Sequence, residues 1–250
     1  MCRHLAYLGP PIALAELLFT PPHSLSHQSW APRDMRGGGT INADGFGLAW
    51  FQDDASVLRV RRAVPLWTDA GLPALAASLR SGAVLAAVRS ATVGMPVTET
   101  AAAPFTEDRW LFSHNGKVTG WPDSVADLAA ALPVRDLLTL DAPTDSALLW
   151  ALVRARLRAG STVDGALAAV VPAVARAAPG SRLNLLLTDG ATIAATAAGH
   201  SLSYLLTPPG VLVASEPLDD DPGWIPVPDH SLLVATPTAA TVTALEGAPQ

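Results

Sequence analysis

One cysteine, one lysine and 6% aromatic residues are all that 250 positions hold of those types, and no long apolar run is present. A single cysteine excludes an internal disulfide framework and a cysteine-based zinc site. The longest apolar stretches, 125–132 and 166–175, fall well short of the ~20 residues that span a bilayer. Positive charge is also scarce: 16 Lys and Arg against 22 Asp and Glu give a net charge of −6. That argues against nucleic acid or an anionic membrane as partner. Arginine in place of lysine, with abundant alanine, is read as a genomic bias. The six histidines (4, 23, 27, 114, 200, 230) form no metal-ligand pattern. His23 and His27 are four apart, but in a proline-rich segment with no Glu beside His23. Gly37-Gly38-Gly39 lacks a following Lys-Ser/Thr, so it is no phosphate loop. No basic segment leads into an apolar one, so no secretory signal is expected. The expectation is a cytoplasmic protein with no metal or cofactor and a small-molecule substrate.

Half of the residues are hydrophobic, enough for a sizeable core. The chain opens Met1-Cys2-Arg3-His4-Leu5, so the only thiol stands at position 2. A small residue there normally lets the initiator Met be removed. The thiol and a free α-amine would then share one residue. A thiolate is the nucleophile, and an α-amine, with a pKa of about 7.7–8.0, is a suitable base for it. The plainer alternative is a small apolar side chain on a first strand.

Patterning places strands first, helices in the middle and strands last. Strands are expected over 2–8, closed by Gly9-Pro10-Pro11, then over 45–51, 56–63, 84–89 and 109–113. Segment 12–19 suits a short helix, 23–40 a loop, 70–79 a helix, and 90–104 a long loop of functional length. Helices are expected over 121–132, 144–158 (Thr144 or Asp145 starting it) and 163–177, the last kinked at Pro172. Later strands fall at 182–188, 191–197, 203–206, 211–215 and 231–235, with Asp189-Gly190 as a hairpin turn. One layered domain over 2–243 is the expectation, with a tail over 244–250 and fraying from about Thr243.

Four stretches can carry chemistry. Asn115 and Gly116, after Ser113-His114, can aim an amide and a backbone N–H at one oxygen, as in an oxyanion hole; Asn-Gly is equally a common tight turn. Arg89 ends an apolar strand, where its guanidinium can hold a carboxylate or face solvent. Asp145 can cap its helix or bind an ammonium. Arg89 and Asp145 together would suit an α-amino acid head such as that of a glutamyl group. In the run 42–50, Gly45 and Gly47 can allow close backbone approach.

Taken in order, Cys2-Arg3-His4, Asn42–Gly47, Arg89-Ser90-Ala91-Thr92, His114-Asn115-Gly116 and Thr144-Asp145-Ser146 resemble the class II glutamine amidotransferase family. Met1–Leu5, the Gln28–Arg33 loop, Asn42–Trp50 and Ser215-Glu216-Pro217-Leu218 resemble its γ-glutamyl amidohydrolase branch of ergothioneine biosynthesis. The resemblance implies an α/β (α+β) fold, a four-layer αββα sandwich of the N-terminal-nucleophile type. It implies Cys2 as nucleophile with its α-amine as base, and Asn115 and Gly116 as the oxyanion hole. Arg89 would hold the glutamyl α-carboxylate, Asp145 the α-ammonium, and Thr92 and His114 would support that head group. The implied substrate is γ-glutamyl-hercynylcysteine sulfoxide, whose trimethylammonium suits an aromatic face; of Trp30, Phe46, Trp67, Trp110 and Trp224, the favoured candidates are Trp30 and Trp224, which lie in proline-rich segments. Two departures turn the expectation away from free glutamine: Val93 replaces a usual His, and Thr100–Phe105 replaces Asn-x-His-Pro-Phe. The chain ends where a glutaminase domain ends, which favours hydrolysis over transfer. An ammonia-supplying glutaminase subunit, a hydrolase of other γ-glutamyl amides and a non-catalytic ligand-binding protein remain as alternatives.

Overall fold

The computed structural model describes residues 2–36 and 41–245. Met1, the Gly37-Gly38-Gly39 run and residues 246–250 of the tail lie outside them, and with Met1 the question of its removal. Among the described residues, thirteen strands form two sheets. β1 (Arg3–Ala13), β2 (Phe46–Phe51), β3 (Val57–Arg62), β4 (Arg80–Val88), β9 (Ser203–Thr207), β10 (Gly210–Ala214) and β11 (Ile225–Pro226) make the first. Their order is β11-β9-β10-β1-β4-β2-β3. β5 (Phe105–Glu107), β6 (Trp110–Lys117), β7 (Arg182–Thr188), β8 (Ile193–Ala197), β12 (Ser231–Thr236) and β13 (Ala239–Ala244) make the second, ordered β13-β12-β8-β7-β6-β5. Every pairing is antiparallel.

Side chains alternate between the two faces of a strand, and that alternation builds the layers. Ala6 and Leu8 of β1, Leu85 of β4 and Val213 of β10 meet Leu186 of β7, Ala195 of β8 and Leu233 of β12 between the sheets. On the outer face of the first sheet, Leu5, Leu48, Val84 and Ala86 pack under α1 (Ala15–Leu18), α2 (Leu25–Gln28) and α3 (Leu72–Ser78). On the outer face of the second, Phe112, Leu185 and Leu187 pack under α6 (Asp145–Arg158) and α7 (Val163–Ala177). The shorter α4 (Ala126–Ala130) and α5 (Val134–Leu138) lie in the same part of the chain. The architecture is the expected αββα sandwich.

Several local expectations need correction. Gly9-Pro10-Pro11 does not end β1; the pairing with β4 shifts register between Leu8 and Ile12, and a bulge absorbs the two missing N–H groups. The 23–40 segment contains α2, begun by the Ser24 side chain accepting the His27 N–H. The helix expected over 121–132 breaks at Val125, which leaves helical geometry (ψ +12°) to bury its side chain. β5, α5, β11 and β13 carried too little pattern to be expected. Residues 243–245 are not frayed: β13 runs to Ala244, and buried Leu245 donates its N–H to the His230 carbonyl (2.8 Å). α7 spans Val163–Ala177 with Pro172 inside it. Among the described residues, no helix is long and apolar enough to cross a membrane.

Candidate active site

Cys2 stands one residue before β1, and alternation puts its side chain on the face of His4 and Ala6, toward the second sheet. It is half-buried. A narrow pocket opens at its thiol, walled by Ala87, Val88 and Arg89 at the end of β4, by Ala101 and Ala103, and by Ser113, His114 and Ser146. Arg89 is fixed by the loop before β2: its N–H donates to the Gly45 carbonyl (2.7 Å), and its carbonyl accepts from the Asp44 N–H (2.9 Å). The Asp44 carboxylate takes the Ala91 N–H (2.7 Å). The Arg89 guanidinium donates to the Pro96 carbonyl (2.9 Å).

The two glycines singled out in the sequence are both required. Gly45 has φ +131°, and a Cβ there would lie 2.8 Å from the Arg62 carbonyl oxygen. At Gly47 a Cβ would overlap the Ala103 carbonyl, so the bare backbone of β2 lets the 100–105 segment close over the pocket. That segment is the one that departs from the family pattern, and it presents Ala101 and Ala103 to the pocket. Val93, the other departure, is fully exposed.

Asn115 and Gly116 do not form a turn. They lie inside β6, opposite Asn184 and Leu183 of β7. A side chain at Gly116 would overlap the Arg182 carbonyl oxygen. Asn115 is buried between the sheets; its Nδ2 donates to Ser215 Oγ (3.3 Å), and Oδ1 has no partner. One Nδ2 hydrogen is therefore free for another acceptor. Ser215 Oγ also accepts the His4 N–H (3.0 Å), which ties the amide to the strand carrying Cys2. His4 is fully buried, with Nδ1 3.1 Å from Ser113 Oγ. Burial, with the charges around His114, Arg3 and His200, lowers its pKa to about 3, so the ring is neutral.

His114 lines the pocket but has no free nitrogen. Its Nε2 donates to the Arg182 carbonyl (2.9 Å), which leaves Nδ1 to accept from Ser146 Oγ (2.9 Å). Burial holds its pKa down against the opposing pull of Asp145. Asp145 is buried at the first turn of α6. Thr144, not Asp145, is the cap: its hydroxyl accepts the Ala147 N–H (3.2 Å). Asp145 Oδ2 accepts the Val118 N–H (2.9 Å) and Oδ1 the Ser146 N–H (2.7 Å). Thr92 lies apart, in a groove with Lys117 and Trp121.

Neither expected tryptophan lines the Cys2 pocket. Trp30 is half-exposed with its ring edge-on to His27 (4.6 Å). Trp224 is half-buried, and its indole N–H donates to Asp219 (2.8 Å).

Glu216 was legible only as part of a motif, with no role assigned. Buried to 3% exposure, it accepts from Arg3 Nε (2.6 Å), the Arg33 N–H (2.8 Å) and the Asp34 N–H (3.1 Å), and lies 2.6 Å from His23 Nε2. Arg3 in turn donates to the Cys2 carbonyl (2.9 Å) and to the Asp34 carbonyl. Burial works against ionisation of Glu216, but the His23 and Arg3 contacts outweigh it and hold its pKa low. One buried carboxylate thus fastens the N-terminal strand to the 33–34 segment. His23 and His27, which share a contact of 3.0 Å between their Nδ1 atoms, serve this network. Among the described residues, no group of three or more His, Cys, Asp or Glu is placed to hold a metal.

Two antiparallel sheets between helical layers, with a thiol at the head of the central strand lining a narrow, largely apolar pocket, define an N-terminal-nucleophile hydrolase. The family model for class II glutamine amidotransferases matches residues 17–210. A relative from Mycolicibacterium smegmatis named gamma-glutamyl-hercynylcysteine sulfoxide hydrolase is 43% identical over 98% of this chain and 100% of its own. A solved glutamine aminotransferase class-II domain protein from Silicibacter pomeroyi is 26% identical, with a TM-score of 0.69 over 98% of this chain and 99% of that one. Glutamine phosphoribosylpyrophosphate amidotransferase of B. subtilis, at 14% identity, shares the fold alone: its TM-score is 0.66, over 98% of this chain and 49% of that one. The chain belongs to the class II glutamine amidotransferases.

Proposed function

We propose that this protein is a γ-glutamyl amidohydrolase that cleaves γ-glutamyl-hercynylcysteine sulfoxide to hercynylcysteine sulfoxide and glutamate. The observation that carries the reading is the 43% identity to the M. smegmatis hydrolase over 98% of this chain. With Met1 removed, the α-amine of Cys2 takes the thiol proton, and the thiolate attacks the γ-carbonyl carbon. Asn115 Nδ2 and the Gly116 N–H receive the developing oxyanion. The C–N bond breaks, its nitrogen takes the proton back from the α-ammonium, and a γ-glutamyl thioester remains. Water, deprotonated by the same amine, releases glutamate. Arg89 pairs with the glutamyl α-carboxylate and Asp145 with its α-ammonium; His114 holds Ser146, and Thr92 supports the loop after Arg89. The reaction runs in the cytoplasm in one domain over 2–243, with no nucleic-acid partner.

Ala101 and Ala103, in place of the bulkier family segment, favour a substrate other than free glutamine. For the trimethylammonium, Trp30 is the more available aromatic face, because Trp224 is engaged by Asp219. Trp30→Ala is expected to raise KM for the sulfoxide about fivefold, as ~1 kcal/mol of cation–π contact implies, and to leave KM for glutamine alone.

The test is glutamate release from the sulfoxide and from glutamine, measured side by side on protein with a native N-terminus. Fast release from the sulfoxide alone supports the reading. Release mainly from glutamine would replace it with an ammonia-supplying subunit. Release from neither, with Met1 absent by intact mass, would leave a hydrolase of another γ-glutamyl amide or a binding protein.

A further inference from the structure

β3 is the last strand of the first sheet, and β5 the last of the second. Arg59 and Arg61 of β3 stand opposite Ala49 and Gly47 of β2, on the face that Ala49 turns toward the second sheet. From there both reach the segment 100–104 that leads into β5. Arg61 Nη1 donates to the Thr100 carbonyl (3.0 Å) and the Ala102 carbonyl (3.4 Å). Arg59 Nη1 donates to the Pro104 carbonyl (3.2 Å). A Cβ at Gly47 would lie 3.1 Å from both Arg61 Cγ and Pro104 Cδ. The missing side chain is thus what lets the arginine stem and the segment meet across β2. Arg61 has one more partner: its Nη1 is 3.1 Å from Oδ1 of Asp141, three residues before the Thr144 cap of α6. At 11% and 24% exposure this pair is largely out of water, unlike the weak pairs of an open surface.

Both things that Arg61 holds belong to the Cys2 pocket. The 100–104 segment presents Ala101 and Ala103 to it, and the turn after Asp141 starts α6, whose Ser146 lines it as well. We propose that Arg61 is a positioning residue: by bracing these two walls against each other it sets the width of the pocket, and with it the preference for a γ-glutamyl acyl group. The identity of that acyl group rests on the hydrolase reading above. The segment Thr100-Ala101-Ala102-Ala103 has no large side chain with which to anchor itself, so its carbonyls are the groups by which it can be held. A guanidinium suits them: it is planar, rich in donors and charged at every working pH. Without it, the Thr100 and Ala102 carbonyls and the Asp141 carboxylate lose this shared partner, and the two walls are free to part. A shift of about 1 Å in groups that orient a substrate can cost about 10²-fold in rate.

The test reads the pocket through the Cys2 thiol, on protein with a native N-terminus. The diazoketone analogue of glutamine, in which a diazomethyl group replaces the amide nitrogen, carries the glutamyl head to that thiol. A C–S bond forms, dinitrogen leaves and the thiol proton ends on the same carbon. Iodoacetamide alkylates the same sulfur without a glutamyl head. Both rates are followed by intact mass. In Arg61→Met the ratio of diazoketone rate to iodoacetamide rate is expected to fall about tenfold or more, with the iodoacetamide rate little changed. Arg61→Lys keeps part of the ratio. Asp141→Asn lowers it in the same direction, and these two variants carry the test if Arg61→Met does not fold. A ratio that the variants leave unchanged, or two rates that fall in proportion as in a merely less stable protein, overturns the proposal. Glutamate release from the sulfoxide is measured on the same samples. A ratio that depends on Arg61, with no glutamate released by the wild type, keeps the brace and overturns the hydrolase. Release with an unchanged ratio does the reverse. A wild-type thiol that shows no preference for the diazoketone and releases no glutamate overturns both.

Discussion

At the scale of single residues, the site depends on groups whose roles come from what they touch. Asn115 has one amide hydrogen on Ser215 and one to spare. If the spare one meets the oxyanion, Asn115→Ala lowers kcat by about 10²–10³ with a much smaller effect on KM; steady-state kinetics on the sulfoxide decides it. Glu216 acts at one remove, through Arg3, on the position of Cys2. Glu216→Gln removes the charge that Arg3 and His23 face in a buried place. Breaking such a pair costs about 3–5 kcal/mol. The expected outcome is a lower Tm, with kcat of the surviving folded protein falling more than KM rises. An unchanged Tm would remove Glu216 from this role. The motif 215–218 was visible in the sequence, but its function was not, because Arg3, His23 and Arg33 are up to 213 positions away from it.

Secondary-structure elements decide where those residues stand. β1 carries Cys2 on the inner face because Leu5 is committed to the outer helices and Ala6 to the space between the sheets. α6 begins beside the pocket because Thr144 caps it, which sets Asp145 and Ser146 on its first turn. Thr144→Ala is expected to cost about 1 kcal/mol of stability. Its measurable sign is a lowered denaturant midpoint, with a weaker affinity for glutamate that a cap distant from the site would not produce. Long patterned elements were legible: 163–177 and 182–188 match α7 and β7 residue for residue. Short ones were not, because three to six residues of β5 or β13 are held by their neighbours rather than by their own periodicity.

Across the whole molecule, three neutral histidines are stored in the interior. Burial lowers His4 to about 3, His200 to about 4, and His114 in the same direction. Each has a folded-state pKa below the unfolded value of about 6.5. The unfolded chain therefore binds more protons as pH falls through that window. The stabilisation is complete above about pH 6.5 and is lost progressively toward pH 4 and 3. Glu216 adds a loss of the same sign below about pH 4.3, where unfolded glutamates protonate. Tm measured from pH 7.5 to 4 should fall steadily, and His4→Gln should make the slope shallower. A flat profile would contradict the buried neutral histidines.

The amino-acid sequence alone determined a layered domain of sheets and helices, the unique thiol at position 2, and an ordered set of motifs whose resemblance to a known family implied the αββα sandwich. The layers and the thiol follow from periodicity and residue chemistry, which are local. Tertiary structure alone decided that Asn115-Gly116 is strand and not turn, since only the β7 ladder and the Arg182 carbonyl impose that conformation. It also decided that Thr92, Trp30 and Trp224 lie outside the Cys2 pocket, and that Glu216 fastens the N-terminus. Those outcomes depend on which distant segments meet across two sheets, and long-range contacts leave no mark on the spacing of neighbouring residues.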